Sequence, residues 1–167
     1  MSGTPEAVQL HRPCRELWAE LVEAERLMYD DPLRGGADPG AGFEEYLTRL
    51  DLSGLWVADH ADDGVIGLVG LVMRGRAGEV EPIVVTSTHR HKGVGRKLLR
   101  HVADEAKKRN MISLTISPES RNVDAIRSLH AAGYDVVSSI ELTLDLDRHP
   151  HDWQSDGLEL HELQFRS

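Results

Sequence analysis

Positive charge, backbone freedom and a strand-to-helix junction coincide in one stretch of this chain. Arg90-His91-Lys92-Gly93-Val94-Gly95 follows the β-branched run Ile83 to Thr86 and leads into an amphipathic pattern that starts at Val94. At such a junction the first helical N–H groups have no backbone partners and sit at the positive end of the helix dipole, so they can hold phosphate. Gly93 and Gly95 carry no Cβ, which lets a pyrophosphate approach the amides and lets the backbone form an anion-binding nest. Arg90, Lys92, Arg96, Lys97 and Arg100 add positive charge, and no acidic residue occurs between Glu81 and Asp104. In a chain of formal charge -9 this is a local reversal of sign. Two familiar phosphate motifs drop out on residue type. A dinucleotide fingerprint needs glycine where Leu98 stands, and a Walker loop needs Gly-Lys-Ser/Thr where Gly95 is followed by Arg96-Lys97.

What remains, Arg-x-x-Gly-x-Gly between a strand and a helix, resembles the acyl-CoA-binding motif of the GNAT-type N-acetyltransferases. Downstream, Asn122-x-x-Ala125 and Gly133-Tyr134 match that family's Asn-x-x-Ala and Gly-aromatic positions, so the resemblance covers roughly Val8 to Leu146. It implies acetyl-CoA as acyl-donor cosubstrate and a primary amine of a small molecule or peptide as acceptor. It also implies that the strand Val80 to Val85 lies beside the pantetheine arm. There Ile83, Val84 and Val85 offer main chain to that arm, and an N–H near Val84 or Val85 faces the thioester oxygen. The same resemblance puts Arg90, His91, Lys92, Gly93, Val94, Gly95 and Arg96 around the phosphates and Asn122 at the pantetheine amide. Glu81 matches a position where many relatives place a catalytic glutamate. Ser87 stands where many relatives have proline.

Acyl transfer to an amine needs a neutral nucleophile, a held thioester, a stabilised oxyanion and an outlet for the thiolate. A lysine-like amine with a pKa of about 10.4 is charged at pH 7, and freeing its lone pair costs roughly 4 to 5 kcal/mol, so a base is useful. Glu81 is the first candidate, with Glu79 and His89 in reserve; the plainer reading of Glu79 and Glu81 is the polar face of a strand beside Pro82. His89 and His91 also read as polar loop residues. Four residues after Ala125, many relatives carry a tyrosine that protonates the departing thiolate, and here Leu129 stands there, with His130 about 100° around the helix. Two readings stay open: an N-acetyltransferase, or a catalytically silent acyl-CoA-binding or regulatory module. His149-Pro150-His151 has no carboxylate or cysteine at a compelling ligand spacing, so no metal is expected. Cys14, the only cysteine, reads as a packing thiol at a strand-to-helix transition.

The elements that must position these residues follow from pattern. Val8 and Leu10 read as a short strand before a helix from Arg15 to Tyr29, whose Leu17, Leu21, Ala24 and Met28 recur at helical spacing. Asp30 to Gly42, rich in Pro and Gly, reads as a flexible connection, either a lid or a plain loop, followed by a helix from Phe43 to about Leu50. Leu55–Ala58 and Val65–Met73 form a hairpin around Asp62-Asp63-Gly64, and Val80–Val85 is the next strand. A helix over 94–109 and the alternating strand Ile112 to Ser117 follow. Next come a helix capped by Asn122 and Gly133, and one or two strands over 134–146. Leu158 to Phe165 hints at a terminal strand that pairs within the chain or across a homodimer.

The expected fold class is α/β (α+β): one domain over 1–167 with a mixed, mostly antiparallel central sheet flanked by helices, acyl-CoA N-acyltransferase-like, and a C-terminal extension over 149–167. At 167 residues two independent cores would each be marginal. The negative charge argues against a nucleic-acid partner. The absence of a signal-like start or a membrane-length apolar run, and the single cysteine, argue for the cytoplasm.

Overall fold

The computed structural model describes residues 5–146, 153–155 and 157–167. Four strands build the central sheet in the order β1-β2-β3-β4: β1 Leu52–His60, β2 Gly64–Arg74, β3 Ala77–Val85 and β4 Ser113–Thr115. The first three run antiparallel, and β4 lies parallel to β3. Helices α1 Pro5–Tyr29 and α2 Ala41–Leu47 precede the sheet, α3 Val94–Lys108 connects β3 to β4, and α4 Val123–Ala131 follows. This is the expected mixed, mostly antiparallel sheet flanked by helices.

Alternation along β2 sets the two layers. Leu68 and Val72 enter a cluster with Cys14, Leu17, Phe43, Tyr46 and Val84, the α1/α2 side. Val69 and Leu71 enter another with Val80, Leu98, Leu99, Val102, Ala106 and Leu129, the α3/α4 side. A strand buried on both faces reads as a continuous apolar run, as β2 does from Val65 to Met73. The four β2 side chains have 0% exposure, each burial stabilising by about 1.5–3 kcal/mol.

Several expectations need correction. Val8 to Leu10 is helix, not strand: α1 starts at Pro5 and passes through Pro13. Leu10, Cys14, Leu17 and Leu21 continue one helical stripe into the α1/α2 cluster, and that packing outweighs the hydrogen bond lost at Pro13. Cys14 therefore sits inside a helix, 3% exposed. The Asp30–Gly42 connection is pinned rather than loose: Arg26 donates to Arg34 O and Gly36 O, and Arg34 pairs with Glu25 and Glu119. Among the described residues no ladder includes 134–146, where Val136 is 81% and Leu146 85% exposed. Alternation there marks side chains suited to a strand, but β4, the edge strand, spans only Ser113–Thr115 and pairs with β3 alone among the described residues. The terminal residues form a hairpin of their own, β5 Glu159–Leu160 with β6 Leu163–Gln164, so the pairing is within the chain. His149-Pro150-His151 lies outside the described residues. Among the described residues, no helix is long and apolar enough to cross a membrane.

Candidate acyl-CoA site

The strand-to-helix loop has the conformation its residues demand. Gly93 is the N-cap of α3 at φ +83°, a left-handed value that glycine adopts without cost. The first intrahelical bond is Lys97 N–H to Gly93 O, so the amides of Val94, Gly95 and Arg96 have no protein acceptor among the described residues. A Cβ at Gly93 would meet no protein atom within 4 Å, and one at Gly95 only Val85 Cγ2 at 3.8 Å. His91, Lys92 and Arg96 are exposed around these amides, and none of them joins an ion pair among the described residues. Three amides, a helix dipole and the cations Lys92 and Arg96 therefore lie at one surface.

Arg90 has a different place. Its Nε donates to Val85 O at 3.0 Å and its Nη2 lies 3.4 Å from Glu20 Oε1. The same Glu20 oxygen accepts from Ser87 N–H at 2.6 Å, a bond that proline at this position could not make. Glu20, on α1, is a residue that sequence reasoning missed; nothing in its local sequence sets it apart from the other acidic residues of that helix. Arg90 thus shapes the loop from β3 to α3 as well as adding charge.

The strand feeding this loop is open on one side. Its ladder with β4 covers only Ala77–Glu79 against Ser113–Thr115, so among the described residues Val80 to Val85 have no strand beyond them on that side. Thr86 N–H donates to Ile66 O, toward β2. By strand alternation the main-chain groups of Val84 also face β2, while those of Ile83 and Val85 face the open side. Of the two amides expected near the thioester, that of Val85 is the one on the open side. Ile83 and Val85 pack their side chains toward the α3 layer, and Val84 is buried in the α1/α2 layer.

Glu81 lies at an irregularity in the β2–β3 register opposite Gly70, and the Glu81–Pro82 bond is cis. Tyr46 Oη donates to Glu81 O here, and a Cβ on Gly70 would collide with both atoms. Burial, then the nearby Glu81 charge, pushes the Tyr46 hydroxyl well above the usual phenol range. The Glu81 side chain is 44% exposed, with Oε2 2.6 Å from Arg49 Nη1. Arg49 also grips Asp51, whose carboxyl its hydrogen bonds hold below the usual range. Arg74 joins Asp51 to Glu79 at 3.2 and 2.7 Å. Both candidate carboxylates on β3 therefore belong to one ion-pair chain. The third candidate base, His89, is elsewhere, beside Asp63 at the β1–β2 turn.

Asn122 Oδ1 accepts from Ala125 N–H at 3.1 Å, making it the N-cap of α4. Leu129 is buried in the α3/α4 cluster and carries no proton to give. His130 is exposed. Tyr134 packs against the same cluster with its hydroxyl buried and unpartnered, and burial raises its pKa.

A model of the acetyltransferase (GNAT) family matches residues 10–134. No curated protein matches the chain. Among solved structures, a glucosamine-6-phosphate N-acetyltransferase of Arabidopsis thaliana superposes with TM-score 0.51 at 19% identity, covering 66% of this chain and 78% of that one. A Bacillus halodurans protein described as a transcriptional regulator gives TM-score 0.61 at 18% identity, covering 87% and 97%. A Bacillus anthracis protein described as a streptothricin acetyltransferase, solved with acetyl coenzyme A, gives TM-score 0.48 at 23% identity, covering 54% of this chain. The match spans about half, 51%, of that protein's length. At these identities the likeness is one of fold.

Proposed function

This chain belongs to the acetyltransferase (GNAT) family, and from that premise we propose that it moves an acetyl group from acetyl-CoA to a primary amine of a small molecule or peptide. One observation carries the reading: the edge of β3 beyond Glu79, uncovered by any strand among the described residues and with the main chain of Ile83 and the Val85 N–H turned outward, runs directly into the amides of Val94, Gly95 and Arg96, which have no acceptor among those residues. An extended ligand arm with a pyrophosphate at one end fits that continuous line of donors and acceptors. The arm pairs with the β3 edge as an added strand would, and the pyrophosphate takes the amides of Val94, Gly95 and Arg96, with Lys92 and Arg96 as counter-charges. Asn122 holds the arm from the α4 side.

In the reaction the neutral amine attacks the thioester carbonyl carbon, and the Val85 N–H supports the resulting oxyanion. The amine's excess proton passes to Glu81, directly or through a water. The C–S bond then breaks, releasing the N-acetylated product and CoA thiolate. With Leu129 where a hydroxyl would serve, the thiolate leaves as the anion and takes its proton from solvent, which a thiol pKa of about 8.5 permits.

The same leucine favours a second reading, a catalytically silent acyl-CoA-binding module. Release of free thiol from acetyl-CoA, measured across a panel of primary amines, separates the two. Amine-dependent release supports the transferase. Saturable CoA binding with no release from any amine supports the module.

A further inference from the structure

At the tip of the β1–β2 hairpin three lone-pair donors meet. His60 Nδ1 and His89 Nε2 each stand 3.2 Å from Asp63 Oδ2, and the three ligand atoms all lie within 4.8 Å of one another. We propose that His60, Asp63 and His89 bind a zinc-class divalent ion and thereby tie the β1–β2 turn to the loop that leads into α3. Bonds of 2.0–2.2 Å place the ligands of a tetrahedral zinc site about 3.3 Å apart. The two His–Asp separations already match that edge.

The surroundings admit the ligand form of the rings. Thr88 Oγ1 lies 3.0 Å from His89 Nδ1. In the tautomer protonated at Nδ1, that hydroxyl accepts from Nδ1–H and the Nε2 lone pair faces Asp63, the outer-shell arrangement usual for a metal-binding imidazole. Asp62 N–H donates to His60 Nδ1 over a long 3.4 Å, a contact that a metal ion at this nitrogen would displace. A cation between the three groups satisfies them together. Two imidazoles with one carboxylate suit zinc or cobalt; magnesium and calcium want an oxygen shell. A cleft of about 380 Å³, lined by Thr86, Thr88 and Lys92 among others, opens beside Asp63 and His89 and leaves room for water or an anion as fourth ligand. His60 and Asp63 are 44% and 54% exposed, so an ion reaches them without unfolding. No sequence spacing joins His89 to the other two; the 3-10 turn Ser87–His89 brings it across.

The test is a calorimetric titration of the untagged full chain with Zn²⁺ alone, repeated with Mg²⁺, and with Co²⁺ followed by visible absorption. Expected are one Zn²⁺ per chain, no saturable Mg²⁺ binding, and the intense visible bands of four-coordinate Co²⁺. His60→Ala and Asp63→Asn should each weaken Zn²⁺ binding at least about tenfold, and Thr88→Val should weaken it by a similar factor through His89. The metal-free melting temperatures of all three variants should match the parent's. A His149→Ala/His151→Ala double variant should bind as the parent does. The proposal is overturned if the parent shows no saturable Zn²⁺ binding, or if His60→Ala and Asp63→Asn bind it as tightly as the parent.

Discussion

Gly95→Ala should make the protein more stable and bind CoA less well. Gly95 is the second residue of α3, and the new methyl would touch only Val85 Cγ2, at an ordinary 3.8 Å. Nothing in the folded chain has to move. Alanine loses less backbone freedom on folding than glycine, so the helix gains about 0.5–1 kcal/mol. For a chain of this size that is a rise in Tm of about 1–4 °C. The same methyl stands over amides that the account gives to the pyrophosphate. Displacing one hydrogen bond to a charged group costs about 1.5–3 kcal/mol, or roughly 10- to 150-fold in CoA affinity. The two effects have opposite signs, so partial unfolding cannot imitate the result. Thermal melts and calorimetric titration on the same preparation read both. A more stable variant with unchanged affinity would refute the assignment of this loop. Gly93→Val is a poorer probe, because φ +83° makes the branched side chain strain the fold as well.

Three further outcomes follow. Glu81→Gln should keep CoA affinity and lower turnover by about 10² to 10⁴, with the defect shrinking as pH rises and more amine is already neutral; a turnover unchanged across the whole pH range would remove Glu81 from the base role. Tyr134→Phe should raise stability by about 1 kcal/mol, since it removes a buried hydroxyl that has no partner, and a lower Tm would contradict that packing. Burial raises the Cys14 thiol to about 11 from 9.0, so between those values the unfolded chain ionises while the folded one does not. Stability should therefore fall as pH rises through that window, by about 2–3 kcal/mol from this group, and Cys14→Ala should flatten that part of the profile in melts from pH 8 to 11.

Local signals carried far into this fold. The glycine-bearing junction, the hairpin at Asp62-Asp63-Gly64, the Asn122 cap and the buried face of α3 are each set by neighbours within a few positions, so pattern alone locates them. What failed depended on partners distant in sequence. Leu10 belongs to a helix because Cys14 and Leu17 continue its stripe onto the sheet, which outweighs the break that Pro13 suggests. The alternating residues 134–146 join no ladder among the described residues although the outer edge of β4 is unpaired, and no local pattern records which edges become paired. In the candidate site, the motif places Gly93 and Gly95 at the start of α3, where the structure has them. The Glu20 bridge to Ser87 and Arg90, and the Arg49 clamp on Glu81, join residues 32 or more positions apart.

The most direct test of the central claim compares CoA with pantetheine, which keeps the arm and lacks the phosphates, by calorimetric titration of the unaltered chain. If the amides of Val94, Gly95 and Arg96 hold the pyrophosphate, loss of two charge-assisted bonds should weaken pantetheine by a factor on the order of 10² or more. CoA binding should also weaken with added salt, because Lys92 and Arg96 are exposed. Equal affinity for the two ligands, or no saturable binding of CoA, would contradict it.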